Sequence, residues 1–231
     1  MALPSLGTAK YELTLPSTGE KVEYRPFLVR EEKVLMIAQA TGDQMDILRA
    51  VESIISDCTF GKLESKTLPF FDIEYVFLKL RSKSIGSKVE VQVLCPDDEE
   101  TKVTIEIDLE TVECERNVEH TTDIKISDTI GVIMDYPRVD AMSIDSSDTE
   151  AAFDLIASCI KQIYDADNVY DKADMDKKEL NEFVESMSHE QFQKLQSFFE
   201  TMPRVKKKVK VKNPKTGVSG HVVLEGMSNF F

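Results

Sequence analysis

The chain has no tryptophan, three histidines and four cysteines among 231 residues. The cysteines, Cys58, Cys95, Cys114 and Cys159, stand far apart, and no two of them form a CxxC pair. The N-terminal stretch MALPSLGTAKYELTLPSTGE lacks the apolar core of a secretory leader. Without such a leader the reading is reduced thiols, a soluble chain and a cytoplasmic origin. No apolar run approaches the ~20 residues that span a bilayer, so no membrane role is expected. GxSxG, HExxH, P-loop and GxGxxG patterns are all missing, and the three histidines fall in unrelated settings. His120 lies in a polar linker, His189 just after a helix cap, and His221 in a strand. A nucleophile needs a base and an orienting group, and no such grouping is visible. The chain therefore reads as a non-enzyme with no cofactor.

Cations are also scarce. Lysine and arginine number 28 against 42 aspartates and glutamates, a formal net charge of -14. Non-specific nucleic-acid binding comes mainly from neutralising phosphates, so this balance argues against it. The one basic run is Lys206–Lys215. In strand register Lys208, Lys210 and Lys212 share a face, either turned to a partner or guarding a sheet edge. No aromatics interleave them for base stacking.

What is present is β-hairpin pattern. In KVEVQVLCPDDEETKVTIEIDLETVE, Lys88 to Glu113, Val89, Val91 and Val93 alternate with polar residues. After a loop, Val103, Ile105, Ile107 and Leu109 do the same. Period two with β-branched residues predicts two half-buried strands. Residues 10–27 predict an earlier hairpin turning at Pro16–Gly19, and residues 205–224 a later one turning at Asn213–Gly217. Asp123–Ile126 and Ile130–Met134 predict two further short strands.

Helical spacing fills most of the remainder. Residues 29–40 predict a helix whose buried stripe is Val34, Ile37 and Ala38. Asp43 caps a second, with Met45, Leu48, Val51, Ile54 and Ile55 inward and Cys58 a buried thiol beside them. A third starts near Asp72, read as its N-cap. Ser147 with Glu150 predicts a capping box opening a helix whose face runs Phe153, Ile156, Ala157, Ile160, Ile163. A short helix KKELNEFVESM follows the acidic loop Asp165–Asp176. Another, capped by Ser188 and Gln191, carries Phe192, Leu195, Phe198, Phe199 and Met202.

The fold class is thus α+β, helical core units with three or more antiparallel hairpins, one of them projecting at about 87–113. The expected domains are an α+β domain over 1–137 with an inserted hairpin at 86–116, a linker at 138–147, and a helical unit over 148–231 ending in a hairpin.

Two places invite a metal. Cys95-Pro96 looks like half of a zinc knuckle, with Cys114 further along. Two soft ligands do not close a structural site, which needs four. Asp165, Asp167 and Asp171 fit three positions of an EF-hand loop. Val169 and Tyr170 then fall where an oxygen ligand and the turn glycine belong, and Asp176 where glutamate belongs. No metal is expected, although a zinc- or calcium-regulated binding module is the alternative reading.

YRPFLVREEKVLMIA at 24–38, IISDCTFGKL at 54–63, LPFFDIEYVFLKLRSKSIGSKVEV at 68–91 and NPKTGVSGHVVLEGMSNFF at 213–231 together resemble the T4-type bacteriophage baseplate hub family. Residues 138–185 add nothing to the likeness. The resemblance implies a fuller CPxC knuckle in relatives. Here the first cysteine stands as Cys95, and Asp98 takes the place of the second. It also implies a structural or assembly role in a contractile-tail baseplate, in the virion and, during assembly, the host cytoplasm. Other baseplate or tail hub proteins are the implied partners, with a second copy of the chain a further candidate. The interface candidates are Met227, Phe230 and Phe231 at the apolar C-terminus, the row Lys208, Lys210, Lys212, and Asp97 and Asp98 at the hairpin tip.

Overall fold

A computed structural model describes residues 7–139, 141 and 149–230. Phe231, the Ser147 half of the expected capping box and most of the expected linker lie outside the described residues. In chain order the elements begin with β1 (Tyr11–Thr14), β2 (Lys21–Tyr24), α1 (Val29–Thr41), α2 (Gln44–Cys58) and α3 (Phe70–Ser84). Then come β3 (Lys88–Leu94), β4 (Lys102–Asp108), β5 (Glu113–Glu115), β6 (Asp123–Lys125) and β7 (Gly131–Met134). The chain continues with α4 (Thr149–Ser158), β8 (Ile160–Tyr164), β9 (Val169–Asp171), α5 (Lys177–Glu185) and α6 (His189–Thr201). It closes with β10 (Arg204–Lys212), β11 (Ser219–Glu225) and a 3-10 turn over Met227–Phe230. This is an α+β protein of small antiparallel sheets.

The chain divides into two units. One comprises Met1–Glu115 and Arg204–Phe231, the other Arg116–Pro203. The sequence reading put the division at 138–147 and gave the C-terminal hairpin to the second unit. Strand pairing is the reason for the difference. Arg204, Val205 and Lys206 of β10 pair with Glu115, Cys114 and Glu113 of β5. That ladder binds the C-terminal hairpin to the unit that contains residues 1–115.

In the first unit α3 is the central helix, with Ile73, Val76, Phe77, Leu78 and Leu80 all buried. Fully burying each such side chain contributes roughly 1.5–3 kcal/mol. Its N-cap is Pro69, and Asp72 lies inside the first turn. Asp72 is buried and accepts hydrogen bonds from the N–H (3.0 Å) and hydroxyl of Ser17 in the β1–β2 turn. Its carboxylate thus ties a hairpin to the helix instead of capping it. α2 starts as expected, with Asp43 accepting from the Met45 N–H at 2.7 Å. Cys58 at its end is buried, and burial pushes the thiol up to about 11.

α1 departs from expectation. Its buried residues are Glu31, Leu35 and Ala38, while Val34 and Ile37 are exposed. The stripe is displaced because Glu31 turns inward. Its carboxylate takes the Arg25 guanidinium at 2.9 Å, the Arg30 Nε at 2.6 Å and the Leu28 N–H at 2.7 Å. Burial alone would raise this carboxyl, but the hydrogen bonds outweigh it and hold it down at about 2.

A separate core forms where two hairpins and α3 meet. Val89, Val91 and Val93 of β3 and Ile107 of β4 cluster with Val205 and Val211 of β10, Leu224 of β11, Leu78 and Phe230. The register sets Val89 against Ile107, Val91 against Ile105 and Val93 against Val103, so one face of the hairpin turns to this core.

The second unit is a four-stranded sheet, β6-β7-β8-β9, with α4, α5 and α6. Its core joins Ile124, Val132, Met134, Ile156, Ile160, Leu180, Leu195 and Phe198. The helix expected to run through Ile163 stops at Ser158. Ile160 and Ile163 point inward from β8 instead, paired to β7. Isoleucine is β-branched, and its spacing here suits either structure, so sheet pairing decides the outcome. The caps of α5 and α6 form reciprocal boxes, Asp176 with Glu179 and Ser188 with Gln191.

Candidate interaction surfaces

The loop between β3 and β4 is built by its own aspartate. Asp98 accepts from the N–H groups of Glu100 (3.1 Å) and Thr101 (3.0 Å) and from the Thr101 hydroxyl (2.6 Å). The turn between β10 and β11 is built by Asn213, whose side-chain oxygen accepts from the Lys215 and Thr216 N–H groups. Gly217 closes that turn at φ 75, a left-handed conformation that glycine adopts without strain. The two loops then join. Asn213 Nδ2 donates to Asp97 Oδ1 (3.0 Å), Asp97 Oδ2 (3.1 Å) and Asp98 Oδ2 (2.9 Å), and the Thr216 hydroxyl donates to Asp97 at 2.5 Å. Both carboxyls are held below the usual range by these bonds, Thr216 leading at Asp97 and Thr101 at Asp98.

The hairpin therefore does not project. Its tip is clasped by a second hairpin of the same unit, and Asp97 and Asp98 serve that clasp instead of standing free. Cys95 is buried in the shared core, and burial raises its thiol. Cys114 lies half-buried on β5, paired with Val205. Among the described residues no group of three or more His, Cys, Asp or Glu side chains is placed to hold a metal ion.

Met227 and Phe230 are likewise internal. Phe230 is fully buried in the hairpin core, and Met227 is buried as well. The Gly226 N–H donates to the Val205 carbonyl at 3.0 Å, and the Met227 N–H donates to Glu74 Oε1 at 2.8 Å. Glu74 is itself buried on α3, and desolvation raises its carboxyl to about 7. The apolar terminus docks on its own body.

The lysine row is exposed as expected: Lys208, Lys210 and Lys212 all face solvent. β10 is the middle strand of β11-β10-β5, but β5 pairs only with Arg204–Lys206, so the stretch Lys208–Lys212 is paired to β11 alone and its other side is an edge that the lysines also guard.

In the second unit Asp165 shapes the β8–β9 turn, accepting from the N–H groups of Asp167 and Asn168, each at 2.8 Å. Asp171 lies on β9 opposite Gln162, whose amide it accepts. These aspartates belong to a hairpin, not to a loop closing round a cation. His120, placed in a linker by the sequence, is half-buried between rings. Its Nδ1 lies 2.9 Å from the Thr201 hydroxyl and its Nε2 3.0 Å from the Tyr136 hydroxyl. The Thr201 hydroxyl donates to the Ser197 carbonyl at 2.8 Å, so Nδ1 carries the proton and Nε2 accepts from Tyr136.

The family described as T4 bacteriophage base plate protein matches residues 8–231. The chain belongs to that family. No curated protein and no solved structure matches it. Membership implies a place in the virion tail and contact with other baseplate proteins. No helix among the described residues is long and apolar enough to cross a membrane.

One surface of this baseplate protein escaped the sequence reading. Val29 (79% exposed), Met36 (62%) and Ile37 (57%) stand on α1, on the side away from Leu35 and Ala38. α1 thus carries apolar residues on two sides, and among the described residues only the Leu35 and Ala38 side is buried. The signal was present: one helix with more apolar positions than a single stripe can hold.

Proposed function

We propose that the chain is a non-enzymatic component of the baseplate hub, acting through protein–protein contacts as a structural subunit or assembly factor. The observation that supports the contact mechanism is the exposure of three large apolar side chains, Val29, Met36 and Ile37, around Lys33 on the outward side of α1. Apolar side chains gathered on one side of a helix with a charge among them suit a protein interface. A helix laying such a face into a partner's groove is a recurring recognition mode. The occupant we assign is another hub protein. The family contributes the baseplate itself, and the earlier likeness to hub proteins contributes the position within it.

The test is affinity purification of the tagged full chain from phage-infected cells. Co-purification of hub and tail-tube proteins in a defined subassembly is the expected result. Recovery of the chain with peripheral baseplate proteins alone would place it outside the hub and overturn this reading.

A further inference from the structure

The outward face of the C-terminal hairpin gathers cations on an acidic chain. Register sets Lys208 opposite Val223, Lys210 opposite His221 and Lys212 opposite Ser219, and all six are exposed. At the near end of the strand the cations are answered. Arg204 and Lys206 both pair with Glu225, the latter at 3.3 Å. Further along, Lys208, Lys210 and Lys212 have no ion pair among the described residues. An uncompensated row is unexpected in a chain whose acidic residues outnumber its basic ones by 42 to 28.

The opposite side of the same strands explains why the row is fixed in space. Val205 and Val211 of β10 and Leu224 of β11 are locked in the hairpin core, and the turn beyond Lys212 is held by the Asn213–Asp97 clasp. The lysines are therefore presented by a rigid sheet. Alternate strand residues lie roughly 6.8 Å apart. Carboxylates one helical turn apart rise roughly 6 Å, and alternate carboxylates on an extended segment repeat at the strand distance. An acidic row on either kind of element would meet the lysines one for one.

We propose that the Lys208–Lys210–Lys212 face is a docking surface for an acidic segment of a partner protein. Nucleic acid is the disfavoured occupant. The face offers no Phe, Tyr or Trp for a base to stack on. Val223, 53% exposed within the row, instead suits contact with a protein side chain.

This inference deepens the protein-contact reading above, and its test is separate. The probe is a fluorescent poly-L-glutamate peptide, titrated with the full chain at low and moderate salt, with a single-stranded DNA oligomer of equal charge as comparison. Binding of polyglutamate at low salt, weakened by added salt, is expected. K208Q/K210Q/K212Q should weaken it about tenfold or more, while K208R/K210R/K212R preserves it. Circular dichroism verifies that both variants keep the fold. Failure of polyglutamate to bind, equal binding by the glutamine variant, or tighter binding of DNA would each overturn the proposal. A chain that co-purifies with hub proteins yet ignores polyglutamate would sink this inference alone.

Discussion

Pro96 is seated on Gly220. A Cβ built on Gly220 would lie 2.5 Å from Pro96 Cγ, well inside contact distance. The proline that resembled part of a metal knuckle is one of the points where the β3–β4 hairpin touches the β10–β11 hairpin. Gly220→Ala should push the hairpins apart and cost roughly 1–3 kcal/mol, the usual penalty for overfilling a packed contact. Urea unfolding checks this: the midpoint should fall with little change in slope. An unchanged midpoint would mean that the hairpins do not pack at this contact.

The loop clasp can be loosened separately. Asn213→Ala removes the donor to Asp97 and Asp98 and the acceptor that shapes the turn. A loss of about 1–2 kcal/mol is expected, given the typical worth of such bonds. The carboxyls of Asp97 and Asp98 should also titrate at higher pH, which carbon-detected NMR resolves.

Buried Glu74 makes the C-terminal turn sensitive to pH. Its carboxyl is raised from 4.5 to about 7 in the folded chain, so the folded state favours the protonated form. This contribution is fully present below the unfolded value and is lost as pH rises through about 7. Its size is on the order of 3 kcal/mol. Glu225 adds to the rise and Arg204 opposes it. Glu74→Gln keeps an acceptor for the Met227 N–H and cannot ionise. The variant should be the more stable protein at pH 8 by thermal melting, with the gap narrowing toward pH 5.

His120 acts with the opposite slope. Burial, with Arg116 adding to it, lowers its pKa from 6.5. The unfolded chain takes up the proton first as pH falls. Stability from this site is whole above the unfolded value and is lost as pH drops through the folded one. Protonation also removes the lone pair that accepts from Tyr136. His120→Gln should flatten the acid limb of the stability curve of the second unit, followed by amide exchange in residues 116–203.

Much of the fold was legible because its signals are local. Alternation of Val89, Val91 and Val93 with polar neighbours announces a strand wherever it occurs, and Ser188 with Gln191 announces a helix start. The clasp was not legible, since Asp97 and Asn213 are 116 residues apart and neither looks special alone. The inward turn of Glu31 was equally hidden. A glutamate in a first helical turn normally faces water, and here Arg25 on the neighbouring segment, with Arg30 and the Leu28 N–H, holds it inward. Ile160 and Ile163 satisfied a helical spacing and still became a strand, because β7 offered a ladder. The exposed lysines were readable from register, whereas the outward side of α1 emerged only once Leu35 and Ala38 were seen to take the inward one.

The central claim is that this baseplate protein works through surface contacts, and α1 offers the most direct test. Met36→Lys with Ile37→Lys alters two exposed side chains and should leave the fold intact. Quantitative mass spectrometry of tails purified from cells expressing this variant in place of the natural chain measures incorporation, or hub completion if the chain acts only in assembly. The account predicts a large loss of the variant or of completed hubs relative to the natural chain, with equal amounts of soluble protein. Normal tails with the variant at natural abundance would contradict it.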